Sequence, residues 1–246
     1  MAAFRRGRGR AVSRRGVRGG RAAGRAPQPL VPAVVQASEV FHGRGWRSQR
    51  ASGGAGNPPA RGPYRGAQGG VVHDAVIRRG RRKPLFTPGE ATRSVDYGPR
   101  VVERLIPHRQ PFLLIDGIDA LDSDQRAVRG RRRVSADDPV FAGHFPGDPV
   151  YPGVLQVEMI GQLAACLLQL LALGDRAPHE WTSLPPVRLV KVHHAAFLGA
   201  VVPGDDAEIV AVALDDSDYV VTCAGQILVG GEVRAIAVFE LYLGAT

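Results

Sequence analysis

Apolar positions along the chain fall into blocks whose spacing changes with the element each predicts. Before Val95 large apolar residues are scattered among Arg, Gly, Ala and Pro, with no sustained period of two or of 3.6. Tyr97–Ile106 reads as a short helix or turn ending at Pro107. Phe112–Leu121 is apolar enough for a strand, and Arg126–Ser135 is its partner across a turn carrying Asp122, Ser123 and Asp124. The second strand alternates poorly because Arg129, Arg131, Arg132 and Arg133 crowd it, so it is expected to turn one face, or an edge, to solvent. A Gly/Pro-rich turn over Phe141–Gly153 runs into a helix from about Val154 to Leu173, stopped by Gly174. After a proline-rich linker around Pro178–Pro186 come four β-rich segments: Val187–Phe197, Ala207–Leu214, Tyr219–Val229 and Glu232–Leu243. Asp215-Asp216-Ser217-Asp218 and Gly230-Gly231 mark turns among them.

A hairpin, one long apolar helix and a run of antiparallel strands is an α+β pattern, with the helix packed on a curved sheet. A helix apolar nearly all round needs cover on more than one side. Val154–Leu173 is also long enough to raise the question of a membrane span. It carries Gln156, Glu158, Gln162 and Gln169 and follows a Pro-Gly turn, so wrapping by the sheet accounts for it better and no membrane insertion is expected. The N-terminus lacks an apolar core beside its charges, so no secretory signal is expected.

Charge divides the chain. Residues 1–94 hold 20 Lys+Arg against three acids (Glu39, Asp74, Glu90), a net of +17, whereas residues 95–246 hold 12 against 20, a net of −8. The overall +9 therefore describes the first segment and does not make the rest a basic, nucleic-acid-binding domain. Residues 1–94 are expected to be a disordered Arg/Gly/Pro-rich basic extension, because they offer too little apolar surface to offset ordering entropy. Residues 95–246 are long enough for one domain with its own core. Three readings of the extension stand: upstream sequence from a misassigned start, which leads; an organelle transit peptide; or a polyanion-binding Arg-Gly segment. Cys166 and Cys223 lie in apolar runs without CxxC spacing and read as buried, reduced thiols.

The candidate chemistry lies in Ala142–Glu158, which puts His144 and Glu158 around the Gly/Pro turn at the helix start. An imidazole titrates near neutral pH and a carboxyl group in an apolar helix can be tuned to act as an acid, so the pair suits proton transfer beside a carbonyl. The run Gly143-His144-Phe145-Pro146-Gly147 with Pro152-Gly153-Val154-Leu155 and Glu158, the earlier block Ile106–Asp116 and the late turn Val201–Asp205 together resemble the 3-hydroxyacyl-acyl-carrier-protein dehydratases of the FabZ type. The resemblance covers nearly all of residues 100–246. It implies a hot-dog fold, a curved antiparallel sheet wrapped around one long central helix. It also implies dehydration of a (3R)-3-hydroxyacyl-carrier thioester to the trans-2-enoyl thioester in fatty-acid or related polyketide biosynthesis. No metal or organic cofactor is implied. Partners would be the acyl carrier protein and a second copy of the chain, as a homodimer or a trimer of dimers whose sites combine the histidine of one subunit with the glutamate of the other. The setting would be cytoplasmic, or a plastid or other organelle if the extension is a transit peptide.

Within that resemblance His144 is the base at C2, and Glu158 protonates the departing C3 hydroxyl directly or through a water. The backbone N–H of Gly153, at the positive end of the helix, polarises the thioester carbonyl. Gln162, one turn beyond Glu158, orients the carboxyl group. Phe145, Pro146 and Tyr151 contribute substrate-binding surface, with Tyr151 standing where the family commonly has methionine. A glutamate at 158 sets the chain apart from isomerising relatives, which carry aspartate there. Leu198, Gly199 and Ala200 follow Phe197 where the family usually has basic residues, which shifts the expected carrier-protein contact to Arg129, Arg131, Arg132 and Arg133. His108 reads as structural beside Pro107 and Arg109. His193 and His194 point to opposite faces of a strand, so joint metal ligation is not expected. Two rivals remain: a hot-dog thioesterase, marked by release of free thiol, and a polyanion- or RNA-binding protein, marked by salt-sensitive binding that vanishes with residues 1–94.

Overall fold

The computed structural model describes residues 69–176, 180, 184–217 and 219–244. Expectations for residues 1–68, and for parts of the linker and of the turn at Asp218, lie outside them. Among the described residues seven strands form one antiparallel sheet: β1 (Arg93–Tyr97), β2 (Gly117–Asp122), β3 (Ala127–Arg133), β4 (Val187–Phe197), β5 (Asp206–Asp216), β6 (Val220–Val229) and β7 (Glu232–Leu243). Their order is β1-β2-β3-β5-β6-β7-β4, which leaves β1 and β4 at the edges. Three α-helices accompany it: α1 (Gly69–Gly80), α2 (Pro99–Leu105) and α3 (Gly153–Leu173). The α+β expectation holds, with the sheet curved against α3 in the hot-dog arrangement.

α3 is rich in Leu and Ala, starts directly after Pro152 and stops at Gly174, whose φ is 61°. It is long and apolar enough to cross a membrane, but the sheet covers it and Met159–Leu170 is buried throughout. β-Branched and apolar residues alternate along the strands, so Ile209, Ala211 and Ala213 join the core around α3 while Val210 and Val212 belong to a second cluster on the opposite face. Gly225 sits under Ile160, and a side chain there would collide with it, so the helix seats closely on β6. Gly230 (φ 60°) and Gly231 (φ 81°) close the β6–β7 hairpin, where both positions need the left-handed region. Cys166 and Cys223 are free and buried; burial pushes both thiols up, Cys223 to about 12.

Two expectations are corrected. The folded part begins ahead of residue 95: α1 packs on β7, and Phe86 is buried beneath the outer cluster with Ala120, Ala127, Val210 and Leu228. The fully buried Gln226 of β6 anchors this segment, accepting from Leu85 N–H at 2.7 Å and donating to the carbonyls of Lys83 (3.0 Å) and Gly80. The strand predicted over 112–121 starts only at Gly117, because the preceding backbone is held by a side chain of α3, described below. Of the two alternatives for β3, an exposed face or an edge, the structure shows the face: β3 is an interior strand that turns Arg131 and Arg133 to solvent. Its arginines are matched by acids on neighbouring elements: Arg129 by Asp119 (2.8 Å) and Glu208, Arg131 by Asp96, Arg132 by Asp116 and Asp138, and Arg133 by Asp206 (2.8 Å).

Candidate active site

The turn after Asp138 begins with a short 3-10 segment, Pro139–Ala142, capped by the Asp138 side chain on Val140 N–H. His144 follows. Its N–H reaches Val140 O at 3.1 Å, and its carbonyl accepts from Val150 N–H at 3.0 Å, which closes the loop. The peptide bond from His144 to Phe145 is cis. The ring is fixed twice: Nδ1 lies 2.7 Å from Val150 O, and the Phe145 ring stacks on it at 4.0 Å. A carbonyl oxygen only accepts, so the neutral imidazole carries its proton on Nδ1 and leaves the Nε2 lone pair free. Tyr151 N–H then donates to Val201 O at 2.7 Å, and tethers the turn to the loop before β5.

His144 lines an open cleft of about 650 Å³ together with Val150, Gly153, Val154, Gln156 and Phe197. The start of α3 forms its floor. Leu155 and Gln156 N–H bend back to Pro152 O, while the first N–H groups of a helix, here those of Gly153 and Val154, have no acceptor within the helix. Gly153 is required for space: a Cβ there would come within 2.7–2.9 Å of the Phe197 ring. Leu198, Gly199 and Ala200 complete the wall, so the departure from basic residues makes this side of the cleft apolar.

Glu158 lies one turn and a half further along α3 and does not line that cleft. Its Oε1 accepts from Gln162 Nε2 at 3.0 Å. Gln162 is buried and also donates to Phe112 O (2.9 Å) and accepts from Leu114 N–H (2.9 Å). One amide thus replaces the ladder partner that residues 112–114 would have in a sheet, and aligns the carboxyl group with the same contacts. His108, from the loop after α2, brings Nε2 to 3.4 Å from Glu158 Oε1 and stacks on Phe112. Sequence reasoning gave His108 a structural place only; its membership of the Ile106–Asp116 block was the available signal.

The remaining predicted residues divide. Tyr151 lines the His144 cleft, but its ring is buried edge-on to Phe141 and its hydroxyl has no partner among the described residues. Phe145 is half exposed and borders a second groove with Phe141 and Pro203, and Pro146 is exposed in the turn. His193 meets Glu240 (2.6 Å) and His73, whereas His194 Nε2 is buried without a partner among the described residues. Among the described residues no three His, Cys, Asp or Glu side chains cluster closely enough to hold a metal ion.

The sequence matches the FabA-like domain family over residues 106–237. It is 37% identical over 155 residues to the 3-hydroxyacyl-acyl-carrier-protein dehydratase FabZ of Cereibacter sphaeroides, a match covering 63% of this chain and 94% of that protein. It is 43% identical over 104 residues to the dehydratase FabZ of Xanthomonas oryzae pv. oryzae, covering 42% of this chain and 64% of that one. Among solved structures, the dehydratase heterocomplex ApeI:P from Xenorhabdus doucetiae aligns with a TM-score of 0.48 at 20% identity, over 59% of this chain and 91% of that one.

Proposed function

The chain belongs to the FabA-like domain family, and from that premise we propose that it is a 3-hydroxyacyl-acyl-carrier-protein dehydratase of fatty-acid or related synthesis. The observation that carries the reading is the His144 ring, held through Nδ1 by Val150 O, which leaves Nε2 as the base, in the lining of an apolar cleft beside a helix N-terminus. His144 Nε2 takes the proton from C2, the C2–H electrons form the double bond, and the C3–O bond breaks as the Glu158 carboxyl gives its proton to the departing hydroxyl. The N–H groups at the start of α3 stabilise charge growing on the thioester oxygen.

Glu158 makes its contacts with Gln162 and His108, away from the cleft that holds His144. This supports a site completed by a second copy. Edge strand β4 leaves Leu189, Val190, Val192 and Phe197 at 38–54% exposure, an unpaired apolar edge suited to such pairing. The carrier protein is proposed to approach at the cleft mouth. Of the expected contact at Arg129, Arg131, Arg132 and Arg133, Arg129 and Arg132 are taken up by partly buried carboxylates, while Arg131 and Arg133 stay exposed.

The test is mass spectrometry of a 3-hydroxyacyl carrier protein incubated with the full chain. Loss of one water, abolished by His144→Ala and by Glu158→Gln, supports the reading; release of free thiol or an unchanged substrate overturns it. Mixing the two inactive variants should restore roughly a quarter of wild-type activity on random reassociation of dimers, because half the dimers then hold one intact site. No recovery would place both groups in one subunit.

A further inference from the structure

Resting on the dehydratase reading, we propose that His108 is a positioning residue that fixes which oxygen of Glu158 carries the acid proton. Oε1 faces two nitrogens, Gln162 Nε2 at 3.0 Å and His108 Nε2 at 3.4 Å. With Gln162 donating to Oε1 and the His108 nitrogen 3.4 Å from the same atom, a proton on Oε1 would be crowded against both, so the O–H sits on Oε2, the oxygen left for the substrate hydroxyl. The other nitrogen of the ring fits the same scheme. His108 Nδ1 is buried and has no partner among the described residues, so a proton there would be an unsatisfied buried donor. The ring therefore carries its proton on Nε2, toward Glu158.

The surroundings hold this arrangement. Phe112 stacks on the ring, Gln162 grips Phe112 O and Leu114 N–H, and Arg109 ties its own loop through the carbonyls of Ile106 and His108. The titratable group facing His108 from α3 is Glu158, and from its own loop Arg109, whose guanidinium is turned to those carbonyls. His108 and Glu158 are each 28% exposed, so the pair is partly shielded and the donor weighs more than it would in open water.

The experiment is the pH dependence of kcat and KM for the full-length enzyme, its His108→Ala variant and its His108→Asn variant, which keeps a side-chain N–H. Removing a donor makes a carboxyl group keep its proton to higher pH. For His108→Ala the alkaline limb of the kcat profile should move to higher pH and kcat should fall about tenfold or more with KM little changed, in line with loss of one close polar contact to the carboxyl group. His108→Asn should recover much of kcat and return the limb. An unmoved limb with wild-type kcat overturns the proposal, as does a loss of activity that only tracks the fraction of folded protein. If His108→Ala does not fold, long-range 15N NMR of the wild-type ring decides: a proton on Nε2 supports the assignment and a proton on Nδ1 overturns it. A wild-type enzyme that leaves the 3-hydroxyacyl thioester intact would instead overturn the dehydratase reading, and the proposal with it.

Discussion

Phe86→Ala tests whether residues ahead of 95 are part of the folded unit. Phe86 is 2% exposed and packs on Ala120, Ala127, Val210 and Leu228, on the sheet face opposite α3. Truncating a phenylalanine buried to this degree costs about 3–5 kcal/mol, against a domain stability of about 5–15 kcal/mol. A ceiling applies. The segment carrying Phe86 can lift off as a unit, so the loss cannot exceed the free energy with which that segment docks. Docking gains the Phe86 side chain and the three hydrogen bonds of Gln226, each worth about 1 kcal/mol net, but it also orders the segment, which lowers the ceiling, so the lower end of the range, about 3 kcal/mol, is expected. Urea unfolding of the full chain followed by far-UV circular dichroism should show a lower midpoint at constant m. Gln226→Leu should act through the same docking, so the double variant should lose less than the sum of the two. A loss below about 0.5 kcal/mol for Phe86→Ala, the level of an ordinary surface change, would refute the docked segment.

Gln162→Leu leaves Leu114 N–H and Phe112 O without their partner, at about 1–3 kcal/mol for each buried group, and should lower kcat more than it raises KM because Glu158 loses a donor; chemical denaturation and steady-state kinetics check the two halves. Gly153→Ala forces the Phe197 ring aside, so a drop of about 1–3 kcal/mol and a raised KM are expected from a melting curve and an assay of the same sample. Burial pushes up the thiols of Cys166 and Cys223, so iodoacetamide at pH 8 should label neither by mass spectrometry until the chain is unfolded. The Gln125 N–H, assisted by the Thr92 hydroxyl and the Gln125 side chain, holds the Asp122 carboxyl below the usual aspartate value. Its contribution is therefore complete above pH about 4 and lost as pH falls through the lower folded value, so the stability gap between wild type and Asp122→Asn should close between pH 5 and 2 in urea titrations.

The long helix and the last four strands were legible because local signals agreed there: a run of good helix formers bounded by Pro-Gly and Gly, then apolar segments broken by Asp-rich and Gly-Gly turns. What escaped was carried by contacts distant in sequence. The docking of Phe86 depends on Gln226, 141 residues after Leu85, and neither residue stands out in its own neighbourhood. Phe112–Ile115 is as apolar as a strand, yet Phe112 O and Leu114 N–H find their partner in the Gln162 side chain, which no periodicity can reveal. The arginines of β3 look like the marks of an edge until the strands beside them are known. Asp119 on β2, with Asp206 and Glu208 on β5, then turns the crowded charges into cross-strand pairs in the middle of the sheet.

The site shows the same division between residue type and placement. His144, Gly153, Glu158 and Gln162 could be chosen from their motif, but the motif orders them along the chain and not around a substrate. α3 separates them by its register: its first turn opens onto the cleft of His144, while Glu158 and Gln162 make their contacts with the loop that carries His108, Phe112 and Leu114. A base and an acid must reach adjacent carbons of one acyl chain. One protomer offers the proposed base at a helix start lined by exposed apolar residues, among them Val154 at 76% and Phe197 at 50% exposure, and holds the proposed acid beside a different loop. The proposed pairing through β4 answers both facts at once, since it would cover that apolar rim and bring a second protomer to the cleft. Recovery of activity on mixing His144→Ala with Glu158→Gln is thus a test of the fold's assembly as much as of its chemistry.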